Sequence, residues 1–232
     1  DLSPMFSKRV DDLTENIGIL TRVLDGQGYI SHSGVHGQRG EHGDYRFGLI
    51  AATTPIGGQV WRVMSSLGPR LMLFEMPVHK ESIAEQRENM ISQYTYQDKV
   101  ATCREVVSNL LVKVWNDNGA RVGGIHWDRD ADPPEILDRI IQLAQLGVVL
   151  RSVTAKDKIV TATEYEYTPS VSEGPARYRQ SLYNLARGHA LIEGRHNLTM
   201  DDIDLPLRIV LSTGPIERLR LLRHFIEHGI LN

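Results

Sequence analysis

The chain has 232 residues, 26 of them basic and 29 acidic, for a net charge of −3, with 41% apolar and 24% charged residues. This is the balance of a soluble globular protein; it excludes a disordered chain and a uniformly basic nucleic-acid coat, although local basic patches remain open. A single cysteine, Cys103, excludes an internal disulfide and a Cys-rich zinc module and suits a reducing, cytoplasmic setting, and the longest apolar runs, such as Leu146–Leu150, fall far short of the roughly 18 residues a membrane helix needs. The chain opens without Met, on residues that read as the exit of a buried element, and stops just after a helical pattern. Both ends point to a piece of a longer protein.

In residues 7–25, Val10, Leu13, Ile17, Leu20, Val23 and Leu24 recur at helical spacing, and Asp25-Gly26 ends the pattern. Residues 26–44 read as a loop or hairpin. Tyr45 to Thr54 reads as a strand apolar on both faces, the pattern of a buried strand in an α/β sheet, and Thr53-Thr54-Pro55 breaks it. A short helix at 59–67 and the turn Gly68-Pro69 lead into a second apolar strand at 71–76. Beyond Pro77 the pattern is helical. Val100, Cys103, Val106, Val107, Leu110, Leu111 and Val114 form one stripe, with Cys103 expected in the core. Ile136, Leu137, Ile140, Ile141, Ala144 and Val148 form another. A polar, β-prone stretch at 154–172 suggests a hairpin, Arg177–Glu193 a helix ending at Gly194, and Thr199-Met200-Asp201-Asp202 a helix N-terminus. Helices at 202–212 and 215–228 follow.

Three features carry chemistry. Thr53 and Thr54 end a strand, where open α/β sheets bind ligands; they also simply suit a strand end. Arg70 stands between a turn and a strand, either as a surface charge or as a group aimed across an interface. Arg177 and Arg179 open a helix whose dipole they oppose, which makes better sense with an anion such as phosphate as partner.

Taken in order, Ala51-Ala52-Thr53-Thr54-Pro55, then Leu67-Gly68-Pro69-Arg70, then Arg177 in a helix running to Gly194-Arg195 and Thr199-Met200-Asp201-Asp202-Ile203, the chain resembles the second half of AAA+ ATPases. The likeness is to phage and bacterial types and to the branch of the MCM helicases and MoxR-type ATPases, over roughly residues 1–212. It implies an α/β fold: the end of a parallel-sheet core at 1–78, an all-helical lid with an insert at 79–212, and at 213–232 the start of a winged-helix domain. It also implies that Thr54, or else Thr53, acts as sensor 1, that Arg70 is an arginine finger acting on the neighbouring subunit's nucleotide, and that Arg177, or else Arg179, is sensor 2. ATP and Mg²⁺ are then the cofactors of the intact protein, a homo-oligomeric ring its assembly, and DNA or protein what it acts on. An arginine finger is worth ~10³–10⁵ in rate.

The sequence departs from that family in having no G-x-x-x-x-G-K-[ST] loop, so a missing N-terminal half would carry it, and this chain alone is expected neither to bind ATP and Mg²⁺ tightly nor to hydrolyse ATP. Walker B is absent too, unless Asp1 is its last residue and a Mg²⁺ ligand. The glycine-rich loop at 26–44 matches the place of a pore hairpin, which implies substrate contact for Tyr29 and Arg39; a metal site from His32, His36 and His42 and an ordinary solvated loop are the other readings. Arg218, Arg220 and Arg223 line a terminal amphipathic helix that resembles the first helix of a winged helix-turn-helix, with Arg220 as a nucleic-acid contact; an ordinary surface helix with its basic face in water is the other reading, and the stronger one on the residues alone. The runner-up function is a non-hydrolysing, DNA-associated adaptor on a degenerate ATPase scaffold.

Overall fold

The computed structural model describes residues 1–34, 37–41, 48–66, 70–76, 80–92, 95–121, 123–152, 156–158, 165–167 and 174–229. The chain divides into two compact units, the first made of Asp1–Leu73, Leu143–Arg179 and Ile209–Asn232, the second of Phe74–Gln142 and Gln180–Arg208.

In the first unit, α1 (Ser3–Phe6) and α2 (Val10–Leu24) precede an antiparallel hairpin of β1 (Tyr29–Ser33) and β2 (Gly37–Glu41), followed by α3 (Gly58–Ser66). Asp11 and Asp12 in the first turn of α2 and Arg22 in its last complement the helix dipole. The helix ends where Gly26 takes a positive φ of 76°, which lets the N–H groups of Gly26 and Gln27 return to the carbonyls of Val23 and Arg22. Leu13 and Ile17, one helical turn apart, are buried with Val60, Trp61, Val63 and Met64 of α3, and Met5, Phe6, Ile56, Leu71 and Leu73 close the cluster. The 154–172 stretch contains two short antiparallel strands, β3 (Lys156–Lys158) and β4 (Tyr165–Tyr167).

The expected parallel-sheet core is not what this chain forms. Among the described residues the strands are the two antiparallel pairs, and neither 48–54 nor 70–76 belongs to a ladder. A strand needs neighbours for its N–H and C=O groups, and an apolar run does not supply them. Ile50, placed at the centre of the expected buried strand, is 100% exposed. Residues 70–76 instead form an extended strap: alternate residues Leu71 and Leu73 face the cluster, the Thr213 hydroxyl accepts from Leu73 N and donates to Leu73 O (both 3.0 Å), and Arg151 donates to Leu71 O (3.2 Å). Arg151 is itself buried, its guanidinium 5.6 Å from the Tyr178 ring centre.

Of the remaining helices, α6 (Pro134–Arg151) and α7 (Pro175–Ile192) contribute to both units. A methyl group on Gly147 of α6 would run into the buried ring of Tyr178 on α7, so only glycine permits that approach. α8 (Asp204–Ser212) and α9 (Ile216–Glu227) complete the chain, and Arg218 of α9 donates to Val149 O (2.9 Å) and Ser152 Oγ (2.7 Å) at the end of α6.

The second unit holds α4 (Ile83–Ile91) and α5 (Tyr96–Asp117), each opened by a capping box, Ser82 with Glu85 and Thr95 with Asp98. Among the described residues, those it buries are Asp132, Ile136, Ile140, Leu182, Ala186, Ala190, Leu198, Asp202 and Pro206. Asp132 accepts from Trp127 Nε1 (3.0 Å), Tyr183 OH (2.6 Å) and Leu198 N (2.9 Å), and burial, followed by that carboxylate, pushes the Tyr183 hydroxyl's pKa up. The expected N-terminus at Thr199 is a further capping box with Asp202, opening a 3-10 turn (Met200–Ile203) before α8. Cys103 and its stripe on α5, expected in the core, are not buried: Cys103 is exposed, and α5 has no buried residue. Helical periodicity shows which residues share a face, not that the face is covered.

Candidate functional site

The residues singled out in the sequence fall into separate clusters. In the first, Ser3 links Asp1 to Thr54: Ser3 N donates to Asp1 Oδ1 (2.9 Å), while Ser3 Oγ accepts from Thr54 N (2.9 Å). Leu2 N donates to Ala52 O (2.8 Å), and Thr53 Oγ1 donates to Thr54 O (3.0 Å). Asp1 and Thr54 are exposed and Thr53 half-buried. The Asp1 carboxylate thus reaches the Thr54 backbone through Ser3, and a single exposed carboxylate can supply one ligand of a Mg²⁺ ion held mainly by water and phosphate. Among the described residues no group of three or more His, Cys, Asp or Glu side chains is arranged to hold a metal.

The second cluster joins Arg70 and Arg177 through Asp25, a residue the sequence marks only as a helix end. Arg70 donates Nε (3.1 Å) and Nη2 (2.8 Å) to Asp25 Oδ2, and Arg177 Nη1 lies 3.5 Å from Oδ1. Asp25 caps the C-terminal end of α2, where the helix dipole disfavours an anion, and Arg177 sits in the first turn of α7, where it disfavours a cation. Each charge is at the wrong end of its own helix, and each is answered by the other and by Arg70. That misplacement was the signal in the sequence that would have found Asp25. The Arg70 hydrogen bond, against the opposing effect of burial and with the charges of Arg70 and Arg177 adding to it, holds the Asp25 carboxyl below the usual carboxylate range. The cluster stays open to solvent, with the Asp25 side chain 25% and that of Arg177 52% exposed.

The other candidates stand apart from this pair. Arg179, two residues beyond Arg177, is exposed. On the hairpin, Tyr29 pairs with Glu41 and Ser31 with Arg39, so Tyr29 and Arg39 share one face as diagonal neighbours. Tyr29 is half-buried and Arg39 exposed; His36 and His42 lie outside the described residues. Of the terminal arginines, Arg218 is turned to the end of α6, whereas Arg220 is exposed.

A second arginine–carboxylate cluster lies in the other unit. Asp202 accepts from Arg195 Nη1 (2.7 Å) and Nη2 (2.8 Å), pairs with His189 Nδ1 (2.7 Å) and accepts from Thr199 N (2.7 Å). Burial by itself raises the Asp202 pKa, but the bonds from Arg195, His189 and Thr199 outweigh it and hold the carboxyl far below its usual range. With the carboxylate fully buried and its oxygens engaged, this cluster has no room for a ligand.

Among the described residues no helix is long and apolar enough to cross a membrane. Comparison with family models, with curated proteins and with solved structures gave no match to this chain.

Proposed function

We propose that this chain is the trans-acting, lid-bearing part of an ATP-driven motor of the AAA+ kind, in which Arg70 and Arg177 address the phosphates of a nucleotide whose P-loop is carried elsewhere. The reading does not include a parallel-sheet core. What supports it is the meeting of Arg70 and Arg177 on one carboxylate whose side chain keeps 25% of its surface in solvent. Guanidinium forks bind carboxylate and phosphate with the same geometry, so a pair of arginines that converges on Asp25 is arranged to converge on a phosphate. Mg²⁺, when bound, would neutralise charge on those phosphates, and the likeness to the family makes Asp1 and Thr54 the residues that would hold it. A ring of subunits, in a cytoplasmic setting that suits the lone Cys103, belongs to the same proposal, as does substrate contact by Tyr29 and Arg39.

The test is titration of the chain with inorganic tripolyphosphate and with ATP and Mg²⁺, together with an ATPase assay. Salt-sensitive binding that Arg70→Ala and Arg177→Ala each weaken, without turnover, is the expected result. Binding indifferent to both substitutions removes the reading, and so does turnover by this chain alone. The adaptor alternative draws on Arg220, exposed on α9. Nucleotide-independent DNA binding that falls with salt and with Arg220→Ala would favour it.

A further inference from the structure

α9 closes with two histidines one turn apart, His224 in its last turn and His228 at its C-cap. Side chains at that spacing share a face and meet, and these do: the ring centroids are 4.1 Å apart and the planes 34° from parallel. Both residues are exposed. Two protonated imidazoles so close would repel each other, so the contact suits rings that keep their lone pairs and share one cation.

The backbone decides which nitrogen of His228 keeps its lone pair. The His224 carbonyl can only accept, and it lies 2.9 Å from His228 Nδ1, so Nδ1 carries the proton and donates. The same carbonyl accepts from the His228 N–H (3.1 Å), which fastens ring and backbone to one point. In the neutral ring Nε2 then holds the lone pair. Metal-binding histidines are prepared in this way, one nitrogen donating to a carbonyl and the other left for the ion. Among the described residues the His224 ring has no hydrogen-bond partner; its neighbours are the rings of His228 and Phe225.

The surroundings and the donors point to one kind of ion. The pair stands at the C-terminal end of α9, where the helix dipole favours a cation, and Glu227 adjoins it. Arg220, one turn earlier on the same face, opposes this. Mg²⁺ and Ca²⁺ prefer oxygen donors, whereas Zn²⁺ takes imidazole. Two nitrogens bound about 2.0–2.1 Å from one tetrahedral Zn²⁺ lie roughly 3.4 Å apart. Rings with centroids 4.1 Å apart reach that spacing by small side-chain rotations. One helix supplying two histidines four residues apart is an established way to hold zinc. Among the described residues no third His, Cys, Asp or Glu joins the pair, so water completes the coordination. That is fewer protein ligands than a structural or a catalytic zinc site has, and it makes the ion exchangeable.

We infer that His224 and His228 form a two-imidazole chelate for Zn²⁺, an exchangeable site at the end of α9. This inference is independent of the nucleotide reading, which draws on other residues and on Mg²⁺.

The experiment titrates the whole chain, free of any histidine tag, with Zn²⁺ alone, read by calorimetry and by the imidazole nitrogen resonances in NMR. Zn²⁺ is expected to bind in the presence of excess Mg²⁺, to shift Nε2 of His228 and a ring nitrogen of His224 together, and to be removed by a chelator. His224→Ala and His228→Ala, both at exposed positions, should each lower the affinity at least about tenfold, since losing a ligand costs no less than losing a group that merely orients one. His36→Ala with His42→Ala should leave these resonance shifts and this affinity as they are. Absence of Zn²⁺ binding overturns the inference, as does binding that survives both His224→Ala and His228→Ala. Binding lost with His36 and His42 instead overturns it in favour of the glycine-rich loop at 26–44.

Discussion

Asp25 and Asp202 are built from the same parts and put to different uses. Each carboxylate takes two nitrogens of one arginine and a second basic side chain, Arg70 with Arg177 in one case and Arg195 with His189 in the other. They differ in water. Asp202 is fully buried and also accepts from Thr199 N, so that loop, turn and helix are fastened to one carboxylate. Asp25 is open to solvent, and its second cation lies at 3.5 Å, too far for a good hydrogen bond. A buried ion pair with every bond made is hard to exchange and expensive to break. A half-exposed pair with one loose member is easily replaced by another anion. Ion-pair chemistry alone therefore does not separate a structural clamp from a binding site; solvent access and the number of protein donors do.

The sharpest way to break this contrast is Asp202→Ala. Removing the carboxylate leaves Arg195 and the Thr199 N–H without their fully buried acceptor, and an orphaned partner of a buried pair costs about 3–5 kcal/mol. Denaturant unfolding should show a loss of that order. A loss below about 1 kcal/mol would mean that Asp202 is as dispensable as a surface ion pair and that burial is not what distinguishes the two sites.

A smaller effect is expected from acid. The Asp202 carboxyl has its pKa lowered on folding, so below the unfolded value of 3.8 the unfolded chain binds a proton that the folded chain resists. Its contribution is then whole above that pH and is lost as the pH falls towards the folded value. The difference in unfolding free energy between the native chain and Asp202→Asn should be flat from neutral pH to about 4 and shrink below it. A difference that persists unchanged below pH 3.8 would show that the stabilisation comes from shape and hydrogen bonding without the charge.

Much of the helical framework was legible in the sequence, because an apolar spacing of three and four residues and a capping residue are local signals. α2, α6, α7 and the Thr199 capping box stand close to their expected places. The sheet was not legible. Phe47–Ala52 and Leu71–Met76 are apolar, and apolarity reports a preference for leaving water, not the presence of a hydrogen-bonding neighbour. The backbone of Leu73 is satisfied by a hydroxyl 140 residues further on, a pairing that no local pattern contains. At the candidate site the arginines were visible because each follows a turn or opens a helix. Asp25, 45 residues from Arg70, was read as punctuation, since only folding brings it to them. The exposure of α5 was equally invisible, because the same stripe describes a helix inside a core and a helix whose face stays exposed.

The finest test is Asp25→Asn. This change keeps the size of the side chain, removes the anion that α2 disfavours at its end, and takes one charge from between Arg70 and Arg177. Its two effects on stability oppose each other, and the pair is exposed enough that the net change in unfolding free energy should stay within about 1 kcal/mol. Binding should respond in the other direction. The carboxylate competes with any phosphate for the same guanidinium groups, so removing its charge should raise tripolyphosphate affinity by up to about fivefold, the most an ion pair of about 1 kcal/mol can withhold. The gain should vanish in Asp25→Asn, Arg70→Ala. If Asp25→Asn costs as much stability as Asp202→Ala and gains no affinity, Asp25 is a second structural clamp, and its arginines are fastened to the fold in the way that Arg195 is.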